Sequence, residues 1–142
     1  MNVESIERLK YLCSEIPERL QKINEDDFSY KPGSDKWNKK EVLGHLIDSA
    51  TNNHHRFVRA QFEVNPSIVY DQNNWNMFSF YNAYTSKDLI GFWKIYNQHI
   101  IHLIEHLSEQ SSERLCNNET LAMIFDDYVS HLEHHLKQIV NY

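Results

Sequence analysis

The stretch TLAMIFDDYVSHLEHHLKQI, residues 120–139, decides the fold expected for this chain. Its apolar residues recur at steps of three and four, the spacing that places side chains on one face of a helix. Thr120 precedes the first of them and can cap the helix. The apolar face consists of Leu121, Ile124, Phe125, Tyr128, Leu132, Leu136 and Ile139. The stretch therefore predicts an amphipathic helix that needs partners to cover this face.

Three earlier segments carry the same helical period. Residues 3–24 form the first helix, with apolar side chains again at steps of three and four. Asn38 can cap a second helix because Glu41 follows three residues later, as in a capping box, and this helix is expected to end near Glu63. Ser86 can cap a third. Four amphipathic helices predict an all-α fold, a four-helix bundle.

The connections between these helices differ in character. Residues 66–85, between helices two and three, are aromatic and polar without a sustained period, so they are expected to form a long packed connection with short helical turns at most. The polar segment SEQSSERLCNNE, residues 108–119, links helices three and four. The long connection permits an arrangement in which successive helices are not neighbours.

Composition limits the classes of function. The chain has 142 residues with no shift in composition, which predicts a single domain over residues 1–142. Its 20 acidic and 14 basic residues give a net charge of −6, so a nucleic-acid partner is not expected. No apolar run approaches the roughly 18 residues of a membrane span, and a cytoplasmic protein is expected. Cys13 and Cys116 lack a CxxC spacing and are expected to be free thiols.

Two histidines of the last helix can share a metal ion. At about 100° per residue, His135 lies roughly 40° and His131 roughly 80° from the centre of the apolar face, on the same side, whereas His134 lies roughly 140° away. His131 and His135 are four residues apart, so both imidazoles can reach one ion at about 2.0–2.1 Å. The alternative is a chance pair on a helix surface.

The second helix offers a third imidazole. His45 faces inward, and polar residues occupy inward positions next to it where a plain core would be apolar. These positions are Ser49, Asn52 or Asn53, and Arg56. They indicate a wet pocket inside the bundle. The alternative is that His45 is a hydrogen-bonded core histidine.

The other histidines are not expected to join this cluster. His54 and His55 turn away from the inward face of the second helix. His99, His102 and His106 form a rival group on the third helix, but His102 points away from the apolar face there. The three cannot easily converge inside the bundle.

Several segments together resemble a known family. They are YKPGSDKWNKKEVLGHLIDS at 30–49, RF at 56–57, YDQNNW at 70–75 and HLEHH at 131–135. Each is short, but their order and spacing resemble the DinB-like superfamily, including its thiol-transferase branch. The correspondence spans helices two to four and the long connection.

The resemblance implies a fold, a metal site and an assembly. Members of that family are four-helix bundles that bind a divalent metal and usually form dimers. By position, the resemblance implies that His45, His131 and His135 are the ligands and that the chain forms a homodimer. It also implies conjugation of a low-molecular-weight thiol, or metal-dependent hydrolysis, as the activity.

A centre of three neutral imidazoles leaves a coordination position open, as in catalytic sites. A metal there lowers the pKa of a bound water or thiol. All-nitrogen ligation favours Zn²⁺, with Ni²⁺ or Fe²⁺ as alternatives. A ferritin-like di-iron site is not expected because these histidines lack a Glu-x-x-His motif. We therefore expect a metal-dependent thiol S-transferase or hydrolase with a small-molecule substrate; the alternative is a non-catalytic, metal-stabilised bundle that serves as a binding module.

Three charged residues are candidates for supporting roles. Asp71, in YDQNNW, can accept a proton as a general base, although a turn-forming aspartate is an equally ordinary interpretation. Arg56 can hold an anionic thiol or a substrate carboxylate, or else form a salt bridge that closes the bundle end. Asp48 can steady a ligand imidazole, but its helix angle places it at the periphery.

Overall fold

A computed structural model describes residues 1–142 as seven α-helices, one 3-10 helix and one small hairpin. Four of the helices have 19 to 21 residues and form the bundle. None of the helices combines the length and the apolar character needed to cross a membrane. The elements in chain order are α1 (Val3–Gln21), α2 (Glu25–Ser29), α3 (Lys39–Arg59), α4 (Gln72–Phe78), a 3-10 helix (Tyr81–Ala83), α5 (Ser86–His106), α6 (Glu109–Ser112), β1 (Leu115–Cys116), β2 (Glu119–Thr120) and α7 (Leu121–Ile139).

Two of the predicted helix caps are present. The Asn38 side chain accepts a hydrogen bond from the backbone N–H of Glu41 at 2.8 Å, and the Glu41 carboxylate accepts one from the Asn38 N–H at 3.0 Å. This is the predicted capping box. At α7, the Thr120 hydroxyl accepts a hydrogen bond from the Met123 N–H at 3.1 Å. Local sequence therefore fixes where α3 and α7 begin.

The predicted cap of the third long helix was wrong by one residue. Thr85 caps α5, because its hydroxyl accepts a hydrogen bond from the Asp88 N–H at 3.2 Å. Ser86 is instead the first helical residue, and its hydroxyl donates to the Glu25 carboxylate at 2.5 Å. The Ser86 side chain, which the sequence suggested as a cap, is thus engaged in a tertiary contact with α2.

Two predicted helix ends lie a few residues too far along the chain. The first helix ends at Gln21 rather than residue 24, because the Asn24 side chain caps α2 by accepting from the Asp27 N–H at 2.8 Å. The second ends at Arg59 rather than Glu63, and turns follow it. The long connection contains α4 and the 3-10 helix, and the polar link contains α6 and the β1–β2 hairpin.

The four long helices do not pack in the order of the chain. α1 packs against α5 and α7, and α3 packs against the same two helices. α1 and α3 therefore lie diagonally across the bundle, as do α5 and α7. The segments that carry α2 and α6 connect these diagonal pairs. The order is the non-alternating one that the sequence permitted, and it makes α3 and α7 neighbours.

One cluster of 30 buried hydrophobic side chains forms the core. Its largest fully buried members are Trp93, Phe28, Phe57 and Phe125. Both cysteines are buried and free, as predicted. Thirteen of the 21 residues of α3 are buried, because α4 and the 3-10 helix cover this helix in addition to α5 and α7. Six of those buried α3 residues are polar, and five of them, all except Lys40, lie close together along the helix: His45, Asp48, Ser49, Asn52 and Asn53.

The 3-10 helix makes an unusually close approach to α3 at Gly44. A Cβ atom on Gly44 would lie only 2.1 Å from Cδ2 of Tyr81 and 2.4 Å from its Cγ. Tyr81 is only 7% exposed, so its ring has little room to move away. Gly44 is therefore required for the connection to pack against α3 one residue before His45.

Candidate metal centre

Three histidines that the sequence singled out converge inside the bundle. His45 comes from α3, and His131 and His135 come from α7; one ring nitrogen from each lies within 4.8 Å of the other two. The Nε2 atoms of His45 and His131 are 3.2 Å apart. Two nitrogens on a tetrahedral ion with bonds of about 2.0–2.1 Å are separated by about 3.3–3.4 Å. The spacing therefore fits two ligands of one ion.

Two imidazoles of this cluster, those of His45 and His131, are held in the neutral form. His45 is 1% exposed, and His131 and His135 are partly exposed. Burial, reinforced by the neighbouring histidines, lowers the pKa of both His45 and His131 to about 4. No carboxylate belongs to the cluster. Both rings are neutral at pH 7, and the neutral ring is the form that donates a lone pair to a metal.

Two side chains that the sequence analysis missed orient these rings. The Nδ1 of His135 donates to Oε1 of Gln138 at 3.1 Å, which leaves Nε2 with its lone pair. The Trp37 ring packs on the His45 ring with 4.9 Å between centroids. Gln138 lies three residues after His135 on one helix, a spacing at which side chains meet. Trp37 precedes the cap Asn38, where an apolar residue often folds back on the first turn.

The donor set supports a metal at this position. His45 Nδ1 is buried and has no hydrogen-bond partner, and an ion bound through Nε2 of the same ring would leave it unpaired. Three nitrogen donors suit late divalent transition metals better than Mg²⁺ or Ca²⁺, which prefer oxygen. The residues present therefore fit such an ion.

Two cavities flank the histidine cluster. One has a volume of about 720 Å³, and Trp37 and Gln138, which contact the cluster, line it. The other has a volume of about 200 Å³ and is lined by His131 itself together with Arg56 and Tyr70. The walls of the smaller one are mostly polar. The cluster therefore lies between a large groove and a small polar chamber.

The Arg56 side chain makes structural hydrogen bonds and also lines the small chamber. Its Nε and Nη2 both donate to the Ile68 carbonyl, at 3.2 and 3.0 Å, and its Nη1 donates to Asn53 Oδ1 at 3.3 Å. It takes part in no salt bridge, so the ionic alternative considered from the sequence is absent. Arg56 ties the long connection to α3 and brings a positive charge to the chamber, which His131, Glu119 and Asp127 also line.

Asp71 is not brought to the histidine cluster. It is exposed and forms the cap of α4. One carboxylate oxygen accepts from the backbone N–H of Asn74 at 3.1 Å, and the other accepts from its side-chain amide at 2.8 Å. Neither cavity beside the cluster includes Asp71 in its lining. These contacts are those of the turn-forming residue that the sequence analysis left as the alternative.

Asp48 is buried, contrary to the peripheral position expected from its helix angle. It is 2% exposed, because the 3-10 helix covers this side of α3. One carboxylate oxygen accepts a hydrogen bond from Tyr81 Oη, and the other, Oδ2, is buried with no partner. Burial raises the pKa of Asp48 to about 6, although the Tyr81 hydrogen bond acts in the opposite direction. The interior thus contains an acid that is expensive to ionise.

Replacing Asp48 by asparagine is expected to stabilise the metal-free protein at pH 7.5. The pKa of Asp48 rises from the ordinary 3.8 to about 6 on folding, so the unfolded chain ionises first and stability falls as pH rises through this interval. The penalty is about 2–3 kcal/mol above pH 6 and disappears below about pH 4. Asparagine keeps an acceptor for Tyr81 without the charge. Urea unfolding at pH 7.5 and pH 4 measures the difference.

A matched control is Asp35→Asn, which removes an exposed carboxylate from a loop. This control is expected to change the free energy of unfolding little at either pH. Equal effects of Asp48→Asn at the two pH values, or a loss of stability at pH 7.5, would contradict the assignment of a buried, unpaired carboxylate.

Known proteins share this architecture. A family model described as the DinB superfamily matches residues 9–139. The solved structure of YfiT from Bacillus subtilis, described as "a probable metal-dependent hydrolase with an unusual four-helix bundle topology", matches with a TM-score of 0.80 and 21% identity over 98% of this chain and 86% of that chain. At this identity the likeness concerns the fold, and it confirms the predicted four-helix bundle. No curated protein matches the sequence.

Proposed function

The chain belongs to the DinB superfamily, and from this premise we propose that it is a divalent-metal-dependent enzyme, either a hydrolase or a thiol S-transferase. His45, His131 and His135 are the proposed ligands. The observation that carries the proposal is the convergence of three nitrogen donors within 4.8 Å in a cluster without a carboxylate. Zn²⁺ is the proposed ion, with Ni²⁺ or Fe²⁺ as alternatives. The description of YfiT as a probable metal-dependent hydrolase agrees with a metal-dependent enzyme and names no particular metal.

The chain's own residues divide the work between binding and orientation. An ion with an open coordination position lowers the pKa of a bound water molecule or thiol towards neutrality. Gln138 fixes the tautomer of His135, so that its Nε2 faces the cluster. Trp37 covers one side of His45 and limits the access of water to it. Arg56 supplies a positive charge where an anionic group of the substrate would lie.

The cavities suggest how a substrate is placed. The small chamber, at about 200 Å³, suits a compact polar group held by Arg56 and Tyr70. The groove of about 720 Å³ on the Trp37 side suits the bulkier remainder of a substrate or a second reactant. A small-molecule thiol or hydrolysable compound is the proposed substrate, and a homodimer is the proposed assembly. Nothing in this scheme requires Asp71.

Activity that depends on the metal tests the proposal. The protein is stripped with a chelator and reloaded separately with Zn²⁺, Ni²⁺ or Fe²⁺. Each form is assayed for hydrolysis of activated esters and amides, and for transfer of glutathione, cysteine or bacillithiol to a chloro-aromatic electrophile. Turnover is expected only in a metal-loaded form. In Arg56→Gln, turnover of an anionic substrate at subsaturating concentration is expected to disappear, and turnover of an uncharged substrate is expected to fall less.

Two outcomes would decide against an enzyme of this kind. Activity that survives complete removal of the metal would contradict metal-dependent chemistry. A protein that binds the metal, gains thermal stability from it and turns over none of these substrates would favour the alternative, a metal-stabilised bundle that serves as a binding module.

A further inference from the structure

A second pair of histidines meets on the opposite side of α3. His54 on α3 and His99 on α5 approach each other with 3.4 Å between their Nε2 atoms. Their ring centroids are 4.8 Å apart and the rings are inclined at 78°. From the sequence, His54 was expected to turn away from the inward face of its helix, and His99 was placed in the group with His102 and His106 that could not easily converge inside the bundle. Across the two packed helices, they nevertheless come together.

This pair is separate from the buried cluster. His54 follows His45 by nine residues, which at about 100° and 1.5 Å per residue places it about 180° around α3 and about 13 Å further along its axis. His54 is partly exposed and His99 is exposed. A ligand bound there would therefore reach the protein from solvent and would not contact the buried centre.

We propose that His54 and His99 form a second binding site for a late divalent transition-metal ion. The Nε2 atoms are 3.4 Å apart, and two nitrogens on one tetrahedral ion with bonds of about 2.0–2.1 Å lie about 3.3–3.4 Å apart. The corresponding distance in the buried cluster is 3.2 Å. At both places, therefore, the distance between the two nitrogens fits one shared ion. The His54 and His99 pair, called the outer site below, offers two protein donors instead of three.

The outer pair has its own orienting contacts. His54 Nδ1 lies 2.9 Å from the hydroxyl oxygen of Tyr96. When Nδ1 donates to this oxygen, the Nε2 lone pair of His54 faces His99, as in metal sites where the second ring nitrogen binds an oxygen. Phe92 stacks on the Tyr96 ring with 6.1 Å between centroids and 5° between planes, which limits the movement of the tyrosine. The His54 ring is therefore held in a binding orientation before an ion arrives.

The surroundings leave room for the remaining ligands of the ion. A cavity of about 430 Å³, lined by Val58, Trp75 and Tyr96 among others, adjoins one member of the pair, His54. Water or a small chelating anion can occupy it. Nitrogen donors favour Zn²⁺, Ni²⁺ or Cu²⁺ over Mg²⁺ and Ca²⁺. With two imidazoles, the outer site is expected to bind more weakly than the buried one.

Titration of the chelator-stripped, full-length protein with Zn²⁺ tests the second site. Calorimetry on the parent is expected to show two equivalents of different affinity. His54→Gln and His99→Gln are each expected to weaken the lower-affinity equivalent at least tenfold and to leave the other unchanged. His45→Gln is expected to do the reverse. His106→Gln, at the end of α5, is the control, because it removes an exposed histidine outside the pair.

Each result bears on one site alone. A single equivalent in the parent that neither His54→Gln nor His99→Gln weakens, or a lower-affinity equivalent that survives both substitutions, would overturn the inference. The inference would also be overturned if the lower-affinity equivalent were lost in His106→Gln only, because that result would place the ion at His102 and His106. If the tighter equivalent were missing but the weaker one remained sensitive to His54, the proposed function would lose its metal centre and the outer site would stand. Zn²⁺-induced shifts of the His54 and His99 ring resonances, recorded by nuclear magnetic resonance, provide a second readout.

Discussion

His131→Ala should lower the affinity of the buried site for Zn²⁺ by more than about 100-fold. Loss of a residue that only hydrogen-bonds to a metal ligand already costs about 10–100-fold, and this substitution removes a ligand itself. The substitution removes one of the three nitrogens that lie within 4.8 Å of one another. It also removes the partner that lies 3.2 Å from His45 Nε2. Competition with a chromophoric chelator measures the affinity, and elemental analysis of the purified protein measures the retained metal. His45→Ala should have an effect of the same size.

His134→Ala is the matched control for this experiment. His134 belongs to the same helix and lies next to His135, with 5.2 Å between ring centroids, but its side chain is exposed. Its removal is expected to leave the tighter Zn²⁺ equivalent unchanged. Unchanged metal content in both His45→Ala and His131→Ala would show that the ligand assignment is incorrect. A loss in His134→Ala equal to that in His131→Ala would show that the ion sits on the outer face of α7.

Gly44→Ala should lower the free energy of unfolding by about 1–3 kcal/mol or more, since about 1–3 kcal/mol is the usual range for an overpacked core. The new methyl group would lie 2.1 Å from Cδ2 of Tyr81, far inside contact distance. The ring is nearly fully buried and its hydroxyl donates to Asp48, so the 3-10 helix has to move as a unit. The free energy of unfolding from urea titration measures the effect. Because His45 is the next residue, weaker Zn²⁺ binding should accompany it.

Gly91→Ala provides a control with the opposite expected sign. Gly91 also lies inside a long helix, α5, but a Cβ built there meets nothing within 4 Å. Alanine is a better helix former than glycine, so this change should stabilise the protein by about 0.5–1 kcal/mol. If both substitutions stabilised the protein, the close approach of Tyr81 to α3 would be contradicted.

Much of the fold follows from local sequence, and the exceptions have tertiary causes. The four long helices carry apolar stripes of several turns, and Asn38 and Thr120 cap two of them through neighbours three residues away. The sequence allowed short helical turns in the long connection but did not place α4, because this helix has seven residues and buries only Asn76, too little to establish a period. Ser86 was misassigned as a cap because its partner, Glu25, lies 61 residues earlier in the chain.

The site was predictable where helix geometry alone determines it. Angles around α3 and α7 suffice to direct His45, His131 and His135 towards one region, because both helices face the bundle axis. The same angles misplaced Asp48, since they describe one buried face and α3 is covered by five elements. The two cavities and the meeting of His54 with His99 depend on loop conformations and on the neighbouring helix, and no pattern within one segment encodes them.

The diagonal arrangement of α1 and α3 has a consequence for synthesis of the chain. The partners that cover α1 are α5 and α7, which begin at Ser86 and Leu121, so α1 leaves the ribosome well before either exists. At a synthesis rate of about 5–20 residues per second, the apolar face of α1 stays uncovered on the nascent chain for several seconds. The other two histidines of the cluster lie on the last helix of the bundle, so an ion held by all three would bind only after α7 has docked.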